Sequence, residues 1–260
     1  MKNQTRKLSA VAILALSCCT QLVNAQSVSA DTVQKGGLHI VKMNVAALVT
    51  KTFSFQAERA VGKKISVALA ISGMPESKLP FTSTFEDLAD ANDEDTRKAI
   101  RDFRISSISV TPEVRFYLSK KGVFHGFYVA PFGRYAKYSV ESPIQVTVAQ
   151  LNQTERIVFN GDVKTFTGGV MIGAQWQLSK LVYLDWWILG PNFGSSSGSL
   201  TGVRPLNTLE QAELRNQLDD LLDDVPLVNP TYVVNDNGAN IKVKGQWAGL
   251  RAGLAVGFRF

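Results

Sequence analysis

Cysteine is nearly missing from this chain: the only two, Cys18 and Cys19, lie within the first twenty residues. No disulfide framework can therefore hold the remainder together. Long hydrophobic runs are missing too. Beyond residues 8–19 no stretch approaches the ~20 consecutive apolar residues of a membrane-spanning helix. Histidine occurs twice, at His39 and His125, and neither has a metal-ligand spacing, a nucleophile elbow or a cysteine beside it. No catalysis, no cofactor and no metal site is expected on that ground. Charge is sparse at 19%, and a formal net charge of +6 is too small to suggest nucleic acid as a partner. No repeat with a period of ~20–50 residues is present, which excludes solenoids and propellers.

The N-terminus reads as a secretory signal. Lys2, Arg6 and Lys7 precede an apolar stretch over residues 8–19, and Val23-Asn24-Ala25 offers a small residue before Gln26. Cleavage there, removing residues 1–25, would take the net charge from +6 to +3. A competing possibility is lipidation of Cys18, because Ala15-Leu16-Ser17-Cys18 weakly resembles a bacterial lipidation box, although alanine is a poor choice at its first position. Residues 26–36 read as a polar tether.

What is abundant is alternation. Residues 245–260 place Ala248, Leu250, Ala252, Leu254, Val256, Phe258 and Phe260 on one parity, opposite glycines, Trp247, Arg251 and Arg259. A period of two argues a long β-strand. The same pattern recurs over residues 38–49, 52–61, 65–72, 105–118, 124–140, 162–178 and 181–190. Pro112 and Pro131 fall within two of these segments, where proline is expected to mark a bulge or an edge. Three long gaps remain, at about 73–104, 141–161 and 191–244. The first carries helix-start signals at Thr84-Phe85-Glu86-Asp87 and Asn92-Asp93-Glu94-Asp95. The second resembles a hairpin around Asn152-Gln153. The third opens with a Gly/Ser-rich loop (residues 194–202), continues as a helix from Thr208 with Gln211 completing a capping box, and ends at Asn235-Asp236-Asn237-Gly238.

Eight segments joined by alternately short and long connections predict an eight-stranded antiparallel β-barrel over residues 37–260. The strand order implies short turns at one end and long loops with short helices at the other. Which face points inward decides between two environments. A soluble, lipocalin-like ligand-binding barrel of the periplasm would place its large apolar residues inside. A transmembrane barrel of the outer membrane would place them outside and fill a narrow lumen with small and polar residues. The apolar faces hold almost no charge and the polar faces hold both charge and glycine, which favours the transmembrane arrangement. Tyr138, Trp176, Trp186, Trp247 and Phe260 are then expected near strand ends, where interfacial aromatics belong.

Several stretches carry a family resemblance: Lys42-Met43-Asn44, Phe55-Gln56-Ala57-Glu58, residues 111–117 (TPEVRFY), residues 126–132 (GFYVAPF) and residues 184–191 (LDWWILGP). With the last strand, they resemble small eight-stranded outer-membrane barrels of OmpA-like and OmpX-like architecture. The resemblance is nearer to a Gram-negative outer-membrane barrel family of unknown function. It implies a location and no reaction. It implies contact with outer-membrane lipid and with the barrel-assembly machinery, for which terminal Phe260 resembles the C-terminal assembly signal. An extracellular ligand or protein would meet the long loops.

The polar faces bring together Lys42, Glu58, Glu113, Arg115, Arg134, Asp185 and Arg251, a predicted charge network of the lumen. Buried ions must be paired, so the network reads either as a structural plug or as the gate of a narrow channel. Asp219-Asp220, Asp223-Asp224 and Asp93-Glu94-Asp95 offer carboxylate clusters, which read as solvated helix faces or as calcium sites without the spacing of an EF-hand.

Overall fold

A strand that alternates large apolar with small polar residues has two unlike faces, and a closed sheet separates those faces into an outside and an inside. A computed structural model of the chain describes residues 37–80, 82–88, 94–148, 153–222 and 228–260. The expected signal, cleavage site, lipidation box and tether all lie outside the described residues. Among the described residues nine strands are present: β1 (His39–Asn44), β2 (Phe53–Ala60), β3 (Ile65–Lys78), β4 (Arg104–Tyr117), β5 (Gly126–Val148), β6 (Gln153–Gln177), β7 (Val182–Val203), β8 (Val228–Asn235) and β9 (Gly238–Arg259). All pairings are antiparallel. The order β1-β2-β3-β4-β5-β6-β7-β9 closes on itself through β1–β9, with Ile40 opposite Arg259 and Asn44 opposite Ala255. The barrel is thus all-β and eight-stranded in its ring, and the ninth strand, β8, pairs on the outer part of β9.

Tight turns gather at one end. Val61 and Gly62 both donate to the carbonyl of Ile65, and Leu178 and Ser179 both donate to that of Val182. The same end holds the β1–β9 seam, where His39 and Phe260 exchange backbone hydrogen bonds of 3.0 and 3.2 Å. The β4–β5 connection folds inward there. Phe124 adopts a positive φ of 66° and is fully buried, with its ring edge-on to Tyr117 and Tyr183. That ring caps the lumen from below.

The opposite end departs from the reading of a long loop at the third gap, and at the second the expected hairpin continues the barrel strands themselves. β5 and β6 run on as a hairpin that pairs Val148 with Gln153. β7 runs straight through the Gly/Ser stretch to Val203, and β9 begins at Gly238. β5, β6, β7, β9 and β8 therefore rise as an extended wall above the rest of the ring. Helices α1 (Thr82–Leu88), α2 (Glu94–Asp102) and α3 (Thr208–Leu222) lie in the connections. Leu214 and Leu218 of α3 are buried against Ile157, Phe159, Val234 and Ile241 of the wall. The helix is capped one residue earlier than its sequence suggests: Asn207 accepts from the N–H of Leu209 and Glu210, and Glu210 accepts from the N–H of Asn207. On the wall, Asp162 accepts from Ser139 at 2.6 Å and pairs with Lys137 at 2.9 Å, and both contacts hold its pKa below the usual carboxylate range.

Other details also depart from the alternation. Residues 46–50 form a 3-10 turn in place of the end of the first strand, closed by Lys51 at a φ of 55°. Pro112 and Pro131 cause no bulge. The β4–β5 register stays constant past both, pairing Val110 with Tyr135, Glu113 with Phe132 and Phe116 with Val129. The irregularities lie elsewhere, between Met74 and Ser77, between Ile172 and Gly173, and between Trp187 and Gly190. The last matters most. Tyr183, Asp185 and Trp187 face inward, and beyond the bulge Gly190, Asn192 and Gly194 do so.

Candidate functional site

The lumen is set by the parities. Polar residues of β1, β2, β4, β6 and β7 point in, and the space for them comes from small neighbours. A Cβ on Gly173 would lie 2.3 Å from the hydroxyl of Tyr128, and one on Gly257 would lie 2.7 Å from Cγ of Lys42. Glycine at these inward positions admits a long side chain from the next strand into an interior only eight strands wide.

Six of the seven expected charges meet there. Arg115, fully buried, contacts all three carboxylates. Its Nε donates to Glu113 at 2.5 Å, and its Nη1 donates to Asp185 at 2.6 Å and Glu58 at 3.2 Å. Lys42 Nζ donates to Asp185 at 2.5 Å and also pairs with Glu58. Arg251 pairs with Glu113 and lies between two rings, 4.2 Å from the centroid of Trp187 and 5.3 Å from that of Phe132. Three cations thus meet three anions, each at most 6% exposed, and the cluster is neutral.

Neutral polar groups complete the shell, and the list of expected charges missed them. Gln56 accepts from Arg115 at 2.8 Å and donates to Glu113 at 3.0 Å. Gln175 Oε1 accepts from Lys42 at 3.0 Å. The hydroxyl of Tyr117 lies 2.6 Å from Glu58, that of Tyr128 donates to Asp185 at 2.8 Å, and the indole of Trp187 donates to Asp185 at 3.1 Å. Ser66 donates to Glu58. All share the parity of the charges, the one sequence signal that identifies them. Buried carboxylates with several charge-assisted hydrogen bonds apiece are fixed in place.

Arg134 is the exception. It faces inward on β5, beyond Phe132 and away from the cluster, and forms no ion pair among the described residues. Two supposed interfacial aromatics also belong inside. Tyr138 is buried and stacks on Trp247 at 5.5 Å, reaching from β5 to β9. Trp176 and Trp186 instead stack on each other on the outer face at 6.5 Å. Phe260 is exposed and stacks on His39 at 5.8 Å. His125 stands edge-on to Tyr183.

Among the described residues no group of three or more His, Cys, Asp or Glu side chains is placed to hold a metal ion. Asp219 accepts a hydrogen bond from Tyr232. Asp93, Asp223 and Asp224 lie outside the described residues, as do the side chains of Glu94, Asp95 and Asp220. No helix among the described residues is long and apolar enough to cross a membrane.

Comparison with known proteins returns a family model described as a protein of unknown function (DUF3575), which matches residues 11–190. No curated protein matches the chain. Among solved structures, the chain is similar to the N-terminal β-barrel domain of OprF from Pseudomonas aeruginosa. Identity is 8% and the TM-score 0.29, over 87% of this chain and all of that one. It is also similar to the translocator domain of the autotransporter NalP from Neisseria meningitidis, at 8% identity and a TM-score of 0.32, over 88% of this chain and 90% of that one. The closed strand order, with β1 paired to β9, makes the chain a barrel independently of these likenesses.

Proposed function

Since the chain belongs to the DUF3575 family of unknown function, we propose from its own geometry that it is an outer-membrane β-barrel with a shut lumen. Its role is structural or one of surface recognition, with no reaction of its own. One observation carries this reading: the barrel is apolar outside and charged inside. Phe55, Leu69, Ile108, Phe116, Phe166, Ile172 and Phe258 are each 43–66% exposed, whereas Lys42, Glu58, Glu113, Arg115 and Asp185 are each at most 3% exposed. A water-soluble ligand-binding barrel needs the reverse arrangement, because a continuous apolar belt of this size is a strong drive to associate in water. In lipid the belt is satisfied, and the closed strand ladder leaves no ring edge unpaired. On β4 and the residue after it the outward apolar residues run from Ile108 to Leu118. At ~3.4 Å per residue and a tilt of ~40° that span is about 26 Å high, close to the ~25 Å apolar band of such barrels.

The interior supports a plug more than a gate. Arg115 bridges all three carboxylates, so no single pair can exchange without exposing another buried ion. Phe124 closes the end with the tight turns. The opposite end presents the wall with α3, where an extracellular ligand or protein would bind; Phe260 would serve the assembly machinery. Planar-bilayer recording of purified protein tests the shut lumen, with silence expected and steady single-channel steps contradicting it. Fractionation with heat-dependent gel mobility tests the location. Recovery in the soluble fraction without detergent would end the membrane reading.

A further inference from the structure

Above the charged plug the lumen holds a second polar place built on a different principle. Strand register sets Arg134 opposite Thr167, Thr167 opposite Gly194, and Gly194 opposite Trp247. Arg134, Thr167 and Trp247, with Asn192 one inward step below, line a cavity of about 60 Å³. Tyr138, stacked on Trp247, forms another wall. One water needs roughly 10–15 Å³ of such space, so the cavity has room for a group of about four or five non-hydrogen atoms.

Its polarity is one-sided. Arg134 forms no ion pair or hydrogen bond among the described residues, and no carboxylate lines the cavity. Thr167 is 1% exposed, and its hydroxyl has no hydrogen-bond partner among the described residues. Just beneath, on the same face of β9 as Trp247, Arg251 pairs through one nitrogen while its buried Nη2 has no partner among the described residues. The plug is neutral and so has no spare negative charge to offer Arg134. A half-buried cation with no anion beside it in a confined space gains a charge-assisted pairing from one small anion.

We propose that this cavity binds a small oxyanion, a phosphate group or a carboxylate. The guanidinium of Arg134 supplies the charge and a two-pronged donor, and a turn of the Thr167 side chain, whose hydroxyl is otherwise closed off, adds a third hydrogen bond. A cation would find no carboxylate here, and a neutral ligand would leave Arg134 uncompensated. The inference rests on the lumen geometry alone and holds whether or not the barrel lies in the outer membrane.

The test is calorimetric titration of the folded full-length protein in detergent with inorganic phosphate, glycerol 3-phosphate and acetate, against a chloride blank. Saturable binding is expected. Arg134→Gln should weaken it at least about tenfold, the scale of losing hydrogen bonds to a charged group. Thr167→Val should weaken it several-fold. Lys137→Gln removes the same formal charge from the ion pair with Asp162 and should leave binding unchanged. Arg134→Lys, which keeps the charge and loses the fork, should fall between wild type and Arg134→Gln, and it carries the test if the glutamine variant does not fold. Equal binding of free phosphate and its glycerol ester would make a free ion the occupant, and a preference for the ester would make it a phosphorylated headgroup. Absence of saturable binding by all three ligands would overturn the proposal. So would wild-type affinity in Arg134→Gln, or equal losses in Arg134→Gln and Lys137→Gln.

Discussion

Replacing Arg115 by methionine tests the plug at its centre. Methionine keeps much of the aliphatic stem, so little of the effect comes from an empty volume. What changes is charge. Glu58, Glu113 and Asp185 then share only Lys42 and Arg251, leaving one uncompensated negative charge where every partner is buried. Breaking a buried pair by removing one partner costs about 3–5 kcal/mol. With a urea dependence of ~2–3 kcal/mol per molar, the unfolding midpoint of the barrel refolded in detergent should fall by about 1–2 M. Adding Asp185→Asn restores neutrality, because Lys42 retains Glu58 and Arg251 retains Glu113. The double variant should therefore be more stable than Arg115→Met alone, with a coupling of about 1–3 kcal/mol. A single variant within ~1 kcal/mol of wild type, outside the range for breaking a buried pair, would refute the reasoning. So would a double variant whose losses simply add.

Gly173→Ala should destabilise the barrel by about 1–3 kcal/mol in the same urea assay, since its Cβ would meet Tyr128 and the carbonyl of Trp186. Leu218→Ala in α3 should cost about 2–5 kcal/mol locally. Proteolysis confined to α3 and its flanks, with the barrel resistant, is the expected readout. Deletion of Phe260 should lower membrane-inserted protein far more than any change in the outer wall, as measured by fractionation and heat-dependent mobility. Intact cells treated with an impermeant amine reagent should label Lys78, at the far end of β3, and spare Lys121 in the opposite turn.

The lower barrel was legible because each strand there needs only a period of two, and the lumen charges share a parity with their unlisted partners Gln56, Tyr117 and Gln175. The upper wall was hidden for physical reasons. Residues 195–202 are mostly Ser and Gly, poor in intrinsic strand preference, yet β6 and β9 pair along both their edges. β8 gains its conformation from the hairpin with β9, a context no local pattern carries. Between Trp187 and Gly190 the bulge reverses which parity faces inward, so continuing the lower pattern upward misplaces Asn192. Arg134 illustrates the limit of parity: it gives the face and not the height, and height separates this arginine from the plug.

The inside-out arrangement itself is open to one direct measurement, and the absence of cysteine beyond Cys19 makes it clean. Single cysteines at Val110, Val114 and Phe116 on the outward face of β4, and at Ser109 and Thr111 on its inward face, are spin-labelled and reconstituted into lipid vesicles. Outward labels should be relaxed strongly by oxygen, which concentrates in the bilayer, and weakly by an aqueous nickel chelate. Inward labels should respond weakly to both. Strong relaxation of the Val110, Val114 and Phe116 labels by the aqueous chelate would contradict a lipid-facing belt.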